Sequence, residues 1–467
     1  MIRFFRHYLP LNVVLLVLIE FALFTGALHV GTWLRFHQAG EDAALVRLPL
    51  TAQSVAFSGV MVTVMMALGL YDYWGWEEGI RGMTLRLGAS FVVGFIAMSL
   101  IFYVAPQLFL GRGAFALSFL AAMIGVTGTR ILFFRWSDLD ILKRRVLVLG
   151  TGSRAAKIGL LLKSGSAAAR GLSIVGYLPL KGVHHYVDAG QILPDKAPLP
   201  AIVEKYKIDE IILSVRERRG GGLPMQELLD CKLLGVEIVE LSTFFERQTG
   251  RLQLESLSAA WMVLSEGFRS GLAREIVKRT FDLCAALALL VVALPIMALT
   301  ALAIALESGA PILYRQERVG QDGHVFDVLK FRSMRVDAER DGKPRWAAQG
   351  DARITRVGRL IRKARIDELP QIFNVLRGDM SLVGPRPERP FFVQALAREI
   401  PYYGCRHALK PGITGWAQIR ADYGASVEES LEKLQYDLYY VKNHSFFLDL
   451  MILFQTAQVV LSGKGAR

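Results

Sequence analysis

Two adjacent carboxylates, Asp367 and Glu368, stand at the start of a short helical pattern in the C-terminal third of the chain. The apolar positions that follow recur at i, i+3, i+4 and i+7 and predict one apolar helix face: Leu369, Ile372, Phe373 and Leu376. Gly378 stands where a C-cap glycine belongs, and Pro370 falls in the first turn, where its missing N–H costs nothing. The pattern therefore places Asp367 at or near the N-cap, with Glu368 beside it.

A helix N-terminus favours ionised carboxylates and phosphate oxygens, because its amides are exposed and its dipole is positive there. An ionised Asp367 in that position predicts a nucleophile for phosphate chemistry. The alternative is an ordinary capping aspartate followed by a first-turn glutamate. Asn374 and Asp379 are further candidates for polar positioning, and capping or turn roles are the alternative for both.

Basic residues crowd the same region. Arg386 stands between two prolines that fix its backbone, and an arginine fork matches phosphate better than other side chains. Taken singly, each basic run is typical of a solvated or lipid-facing surface. Together with the dyad they predict a phosphate-binding site, whose cations we expect to be Arg386, Lys330, Arg332 and Arg365. A loop over residues 410–418, stiffened by one proline and loosened by two glycines, follows downstream.

At these residues the sequence resembles the monotopic phosphoglycosyl transferases, or bacterial sugar transferases, from about residue 270 to the C-terminus. The resemblance implies that Asp367 is the nucleophile, that Glu368 is its partner and that Arg386 holds substrate phosphate. It also implies a magnesium cofactor, which fits a hard cation shared between a carboxylate and a diphosphate. Glu368 is the candidate metal ligand, with general base as its alternative role. The layout further resembles the exopolysaccharide-type members, including those associated with the PEP-CTERM sorting system.

The reaction that this resemblance implies is the transfer of a hexose-1-phosphate from a UDP-sugar to polyprenyl (undecaprenyl) phosphate, with release of UMP. Asp367 would form an aspartyl-phosphosugar that the lipid phosphate then resolves. A nucleotide-sensing membrane scaffold is an alternative, against which the intact Asp367, Glu368 and Arg386 argue. A sugar epimerase or oxidoreductase is disfavoured, because the α/β region lacks a ribose-binding acid and a Tyr-x-x-x-Lys pair.

Composition indicates a membrane protein. The chain has 467 residues, 52% of them hydrophobic, and its mean hydropathy is positive. The net charge of +13 fits anionic lipid headgroups and a diphosphate substrate, and we expect no nucleic acid partner. Three scattered cysteines exclude a disulfide framework or a cysteine-based metal site, which indicates a cytoplasmic location for the soluble parts.

Four apolar runs near the N-terminus predict transmembrane helices, at about Leu9–Leu34, Leu48–Leu70, Leu85–Val104 and Ala114–Phe134. The basic residues around them place both ends of the bundle in the cytoplasm of a bacterial inner membrane. No cleavable signal peptide is expected. Glu20 and His29 lie in the first run and predict either a polar path or a pair that faces the bundle interior.

Alternating strand and helix patterns follow from Arg145, with strands expected at Val146–Leu149, Ser173–Tyr177, Glu210–Val215 and Val236–Leu241. This order resembles a Rossmann fold. The turn that contains Gly150 and Gly152 has the spacing of a dinucleotide-binding loop, but the second strand ends without an acidic residue. We therefore favour a role in packing, homodimerisation or regulation over cofactor binding.

A further apolar segment, residues 281–306, is long enough to cross a membrane, but basic residues flank both of its ends and Pro295 lies near its middle. These features predict a re-entrant helix, as the resembled family has, although that family carries Ser-Pro at the break and this chain has Leu294-Pro295. The segment Phe446–Leu461 predicts either an interfacial helix beside Tyr436, Tyr439 and Tyr440 or an amphipathic core helix.

The predicted architecture is an α+β membrane protein with three parts. Residues 1–140 form a four-helix transmembrane bundle, and residues 141–265 form a Rossmann-like α/β domain. Residues 270–467 form a mostly helical catalytic domain that contains the re-entrant helix.

Overall fold

The structure is a computed structural model that describes residues 2–4, 7–9, 11–38, 51–71, 79–137, 143–163, 171–180, 185–194, 197–214, 223–254, 262, 267–268, 271–335, 353–421 and 426–461. The described chain is mixed helix and strand, as expected. It divides into two compact units, the first mainly Tyr8–Thr249 and the second mainly Gly250–Arg467. The three-part domain boundaries stay a prediction.

The first unit contains the predicted bundle helices. After two short strands, β1 (Ile2–Phe4) and β2 (His7–Leu9), they are α1 (Leu11–Gln38), α2 (Thr51–Ala67), α3 (Gly79–Val104) and α4 (Arg112–Ser137). Helices α1, α3 and α4 contain segments long and apolar enough to cross a membrane. The described part of the second run is α2, whose 17 residues span about 26 Å at 1.5 Å per residue. Residues 48–50 of the predicted run lie outside the described residues, so its length stays a prediction.

A buried ion pair lies inside the bundle. Arg130 of α4 donates from Nε to Glu20 Oε1 at 2.7 Å and from Nη2 to Oε2 at 3.0 Å. The Tyr71 hydroxyl donates to the same carboxylate, and Arg130 also donates to the Leu70 carbonyl at 3.1 Å. Glu20 thus faces the interior, whereas His29 is exposed, since nine residues at 100° per residue turn it to the opposite side of α1. The predicted pairing of these two residues was therefore wrong.

A parallel sheet of order β4-β3-β5-β6 forms the rest of the first unit. Its strands confirm the predicted positions within two residues where both are described: β3 (Arg144–Leu149), β4 (Leu172–Leu178), β5 (Glu210–Leu213) and β6 (Glu237–Glu240). The accompanying helices are α5 (Ser153–Lys163), α6 (Leu199–Tyr206), α7 (Met225–Leu233) and α8 (Leu241–Thr249). Alternate residues of β3 enter two apolar clusters. Val146 and Val148 pack with α5 and α8 on one face of the sheet, and Leu147 and Leu149 pack with α6 and α7 on the other. The alternation buries both faces of the sheet.

The turn after β3 is tightly packed. Gly150 has a φ of +109°, and a Cβ there would collide with the Ser214 side chain, whose hydroxyl donates to the Leu149 carbonyl at 2.7 Å. The Gly152 carbonyl accepts from Ala156 N at 3.2 Å and so belongs to the first turn of α5. Glycine at position 150 is required by backbone conformation and by close packing, without reference to any ligand.

The second unit contains a long apolar helix, α9 (Leu272–Ser308), which stays helical through Pro295. Its other elements are β7 (Leu313–Val319), β8 (Val325–Phe331), α10 (Arg356–Lys363), α11 (Gln371–Arg377), β9 (Ser381–Val383), α12 (Pro390–Glu399), β10 (Gly412–Thr414), α13 (Trp416–Arg420), α14 (Val427–Asn443) and α15 (Phe446–Leu461). The expected loop over residues 410–418 was wrong in part. Its backbone pairs with β9 as β10, and α13 follows.

Both ends of α9 bond to the rest of the second unit. Near its start, Arg279 donates to the carbonyls of Val375 and Leu376 at 2.6 and 2.9 Å. At its other end, Ser308 receives Arg332 on its carbonyl at 2.9 Å and on its hydroxyl at 2.7 Å. The positive guanidinium thus lies at the negative end of the helix dipole. The structure leaves the re-entrant path of α9 a prediction.

Helix α15 packs into the second unit. Leu448 and Ile452 are fully buried, as are Tyr439 and Tyr440 of the neighbouring α14. The Tyr440 hydroxyl donates to Asp449 Oδ1 at 2.7 Å, which satisfies the acid that the apolar run carries into the core. Of the two predicted roles, the structure favours the core helix.

Candidate functional site

The dyad lies in a 3-10 turn, Ile366–Glu368, which precedes α11. Arg365 starts this turn in the left-handed conformation with a φ of 56°, and the N-cap of α11 is Pro370. Asp367 was predicted at or near the N-cap; it lies near it, three residues before Pro370, because an extra turn separates the dyad from the α-helix. Gly378 is the C-cap of α11, as predicted, with a φ of +99°.

Glu368 is surrounded by cations. Its side chain is buried, and its Oε1 atom accepts from Arg386 Nη2 at 2.7 Å and from Lys330 Nζ at 3.1 Å. Arg365 Nη1 lies 3.9 Å from the same oxygen. Three of the four predicted phosphate-binding residues thus converge on one oxygen atom of the dyad. Their role toward phosphate stays a prediction.

Asp367 lies in a different environment from its neighbour. It is half-buried, and its carboxylate forms no hydrogen bond or ion pair with any residue in the described part of the chain. The two consecutive carboxylates therefore differ in their contacts with the surrounding cations. Glu368 is held by cations, whereas Asp367 forms no such bond within the described part of the chain.

The electrostatics follow this geometry. Burial would raise the pKa of Glu368, but Arg386, then Lys330 and Arg365, bring it well below its ordinary value. The pKa of Asp367 is raised, first by burial and then by the negative charge of Glu368. The pKa of Lys330 is lowered by burial, although Glu368 opposes that shift. At neutral pH the site therefore holds Glu368 firmly ionised.

Asn374 joins α11 to β8, the strand that contains Lys330. Its fully buried side chain accepts from Leu329 N at 3.0 Å and donates to the Asp327 carbonyl at 2.7 Å, both on β8. Asp379 Oδ2 lies 3.4 Å from its Nδ2. The Asn374 side chain thus bonds to backbone groups of β8 and fixes the position of α11 relative to that strand. The proposed positioning roles of Asn374 and Asp379 in substrate binding remain predictions.

Other predicted residues lie elsewhere. The structure does not bring Arg332 to the dyad, since its Nη2 bonds to the carboxyl end of α9. Gly150 and Gly152 belong to the first unit, at the end of β3.

A magnesium ion is compatible with the dyad. Among the described residues no cluster of three or more metal-ligating side chains occurs. Magnesium, however, is commonly held by one or two carboxylates together with substrate phosphates. All three cations contact Oε1 of Glu368, which leaves Oε2 as an oxygen donor in the described structure. The donor chemistry at this position fits a hard cation.

Sequence reasoning missed the residues that support the site. Arg406 and Asp437 form a buried ion pair behind Arg386, and no periodic pattern points to either. Asp282 and Asp449 were detectable, because each places a lone acid in an apolar helix. Asp282 accepts from Leu382 N at 3.2 Å, and Asp449 accepts from Lys278 Nζ at 2.8 Å. These two acids attach α9 and α15 to the rest of the catalytic unit.

Comparisons with known proteins agree with the geometry. The family described as Bacterial sugar transferase matches residues 273–463. The chain is 39% identical over 293 residues to the UDP-N-acetylgalactosamine-undecaprenyl-phosphate N-acetylgalactosaminephosphotransferase of Aeromonas hydrophila, covering 62% of this chain and 66% of that protein. It is 44% identical over 194 residues to the undecaprenyl-phosphate glucose phosphotransferase of Komagataeibacter xylinus, covering 40% and 36%.

The longest of these similarities covers both units. The chain is 30% identical over 441 residues to the UDP-glucose:undecaprenyl-phosphate glucose-1-phosphate transferase of Xanthomonas campestris pv. campestris, covering 90% of this chain and 89% of that protein. The fold and the site thus define a membrane-associated sugar transferase. This chain belongs to the bacterial sugar transferase family.

Proposed function

We propose that this protein transfers a hexose-1-phosphate from a UDP-sugar to polyprenyl phosphate and so initiates exopolysaccharide synthesis. The relatives support the substrate classes, since their names specify a UDP-sugar donor or undecaprenyl phosphate. They differ in the sugar, N-acetylgalactosamine in one and glucose in another, so similarity favours no particular hexose. The catalytic unit lies on the cytoplasmic face of the bacterial inner membrane in this proposal.

The observation that carries the proposal is the division of labour between the two carboxylates. Glu368 accepts from Arg386 and Lys330, whereas Asp367 beside it forms no hydrogen bond or ion pair in the described structure. A nucleophile needs an accessible lone pair, and a phosphate site needs cations at hand. Asp367 and the cations around Glu368 bring both to one place in the fold.

The reaction has two displacements at the same phosphorus. An Asp367 carboxylate oxygen attacks the phosphorus that bears the sugar, and the bond from that phosphorus to the bridging oxygen breaks, so that UMP leaves with the electron pair. A polyprenyl phosphate oxygen then attacks the same phosphorus and displaces the carboxylate. Arg386 balances the charge that develops on the phosphoryl oxygens.

Magnesium would be held by Glu368 through Oε2. When bound, it would neutralise charge on the diphosphate of the donor. Lys330 and Arg365 would then serve two purposes, keeping Glu368 ionised and facing the phosphates with positive charge.

The contacts of α9 support the re-entrant path. A straight helix from Arg279 to Ser308 would be about 44 Å long, more than the thickness of a bilayer core. Yet Arg279 bonds to α11 and Ser308 bonds to Arg332 at the end of β8, two elements that Asn374 joins directly. A catalytic unit on one side of the membrane can hold both ends only if the helix turns back.

The α/β part of the first unit is Rossmann-like and has a structural or regulatory role in this proposal. Its four parallel strands support the fold assignment, and the space beside Gly150 is taken by Ser214. Packing thus explains the glycine without a bound dinucleotide.

The test is UMP release by the purified full-length protein with undecaprenyl phosphate, magnesium and a panel of UDP-sugars. One or more sugars should support turnover. Without lipid acceptor, about one UMP per active site should appear as a burst, and mass spectrometry should find a phosphosugar on the peptide that contains Asp367. Failure of every UDP-sugar would refute the proposed substrate class.

The matched variants are Asp367→Asn and Asp322→Asn. Asp367→Asn should abolish both burst and adduct, because an amide does not attack phosphorus. Asp322 is exposed in the turn between β7 and β8 with a φ of 53°, a conformation that asparagine also tolerates, so its variant should keep wild-type turnover. Turnover without burst or adduct would instead indicate a single direct displacement.

A further inference from the structure

The segment Pro385–Glu388 is fixed by its carbonyl oxygens. Two of its four residues are prolines, which have no N–H to donate, so the segment cannot form the regular backbone hydrogen bonds of a strand. Instead, Gly412 N donates to the Pro385 carbonyl at 3.0 Å and Val319 N donates to the Glu388 carbonyl at 2.9 Å.

Two arginines hold the central carbonyls of this segment. Arg318 Nη1 donates to the Pro387 carbonyl at 2.9 Å, and Arg406 Nη2 donates to the Arg386 carbonyl at 2.9 Å. The Arg386 carbonyl lies in the peptide between Arg386 and Pro387, so the bond from Arg406 fixes one of the two planar peptides that meet at the Arg386 Cα. Arg406 therefore holds the backbone of Arg386, whose side chain contacts Glu368.

Arg406 is itself rigidly held. Its Nε and Nη2 both donate to Asp437 Oδ2, at 3.0 and 2.7 Å, and its Nη1 donates to the Tyr403 hydroxyl at 3.0 Å. Arg406 is 6% exposed and Asp437 is 2% exposed. A buried ion pair of this kind is weak as a source of stability, since desolvation offsets the attraction between the charges. Its geometry suits a positioning role, because three nitrogens fix the guanidinium in one orientation.

We propose that Arg406, oriented by Asp437, is a positioning residue for the reaction and acts through the carbonyl of Arg386. Its function is to aim the Arg386 guanidinium at Glu368 Oε1 and at the donor phosphates. The inference rests on the proposed function for the part that concerns turnover. The aim of Arg386 toward Glu368 is independent of any substrate.

The variants are Arg406→Lys, which keeps the charge but has one nitrogen, and Asp437→Asn, which keeps the shape but removes the charge. Tyr403→Phe is a milder third change. The matched control is Glu210→Gln, because Glu210 forms an equally buried ion pair with Arg247 in the first unit. If breaking any buried ion pair simply destabilised the protein, Glu210→Gln would show the same effects as the Arg406 and Asp437 variants.

The substrate-free readout is the distance between Arg386 Nη2 and Glu368 Oε1, 2.7 Å here, in experimental structures of the full-length wild type and variants. We expect the bond to be lost in Arg406→Lys and Asp437→Asn and kept in Glu210→Gln. Persistence of this bond in Arg406→Lys or Asp437→Asn would overturn the proposal. This readout decides the question even if no UDP-sugar supports turnover.

The kinetic readout is the effect of each variant on kcat and on KM for UMP release, measured separately. A displacement of about 1 Å should reduce kcat/KM by about 10²-fold, mostly in kcat, because the Arg386 contact strengthens as charge develops. A loss of activity no larger than that of Glu210→Gln, or one confined to KM, would indicate a merely structural pair and contradict the proposal.

Discussion

At the scale of residues, the functional contrast is between two neighbouring carboxylates. Asp367 has a raised pKa, from burial first and from the charge of Glu368 second, whereas Arg386 and Lys330 overcome burial and lower the pKa of Glu368. A carboxylate nucleophile must be ionised, so activity should fall as the pH drops through the pKa of Asp367. The acid limb therefore belongs mainly to Asp367, although two coupled acids titrate as a pair.

The first prediction follows from this coupling. Glu368→Gln removes the negative charge that raises the pKa of Asp367, so the acid limb of the residual UMP burst should move to lower pH. The measurement is burst amplitude and rate against pH, without lipid acceptor. Asp322→Asn, the exposed control, should leave the limb in place. A limb that moves upward in Glu368→Gln would show that Asp367 is not the group being titrated.

Sequence predicted the residues that converge on Glu368 better than the residues that hold them in place. Lys330, Arg365 and Arg386 were found because charge, proline and glycine occur in a specific linear pattern around the dyad. Arg406 was not found, because its function lies in a bond to a backbone carbonyl, and such a bond leaves no trace in composition or spacing. Arg332 was assigned to phosphate from its nearness in sequence to Lys330, but the strand ends before it and it reaches α9 instead.

At the scale of elements, local patterns predicted helix α11 and its glycine cap but missed the turn in front of it. Arg365 adopts a left-handed conformation, which few arginines do, and the 3-10 turn that follows displaces the dyad from the N-cap. Tertiary contacts to Lys330 and Arg386 hold this turn in place. Helix propensities carry no information about either effect.

A second prediction tests the path of α9. In a chain whose three native cysteines are replaced, Arg274→Cys and Gln321→Cys should both be shielded from a membrane-impermeant thiol reagent in intact cells. Both positions bracket the apolar helix, and the contacts of Arg279 and Ser308 place its ends on one unit. Lysis should expose both positions equally. Labelling of just one in intact cells would mean that α9 crosses the membrane.

At the scale of the whole molecule, the second unit begins earlier than the family match. Trp416 Nε1 donates to the Gly250 carbonyl at 2.7 Å, Leu252 N donates to the Gln435 carbonyl at 3.1 Å, and Arg251 pairs with Glu432 at 2.7 Å. Residues 250–252 thus belong to the packed catalytic unit. The sequence-based boundary at about residue 270 would remove them.

A third prediction compares two truncated chains. A chain that starts at Gly250 should keep detectable UMP-releasing activity in detergent, because the dyad, Arg386 and α9 are all present. A chain that starts at Ser270 should melt at a lower temperature, because the buried Trp416 indole then loses its acceptor, a loss of about 1–3 kcal/mol. Thermal melting and UMP release of both would be measured. An inactive but folded chain from Gly250 would mean that the first unit is needed for catalysis.

The buried ion pair of the first unit has a consequence for how the protein is made. Glu20 and Arg130 are 110 residues apart in sequence. At about 5–20 residues per second, the ribosome completes the arginine about 5–20 s after the glutamate. During that interval Glu20 of α1 has no Arg130 to pair with, and an unpaired acidic side chain is costly in lipid. The bundle therefore closes late in its own synthesis, when α4 reaches the membrane and the first helix gains its counterion.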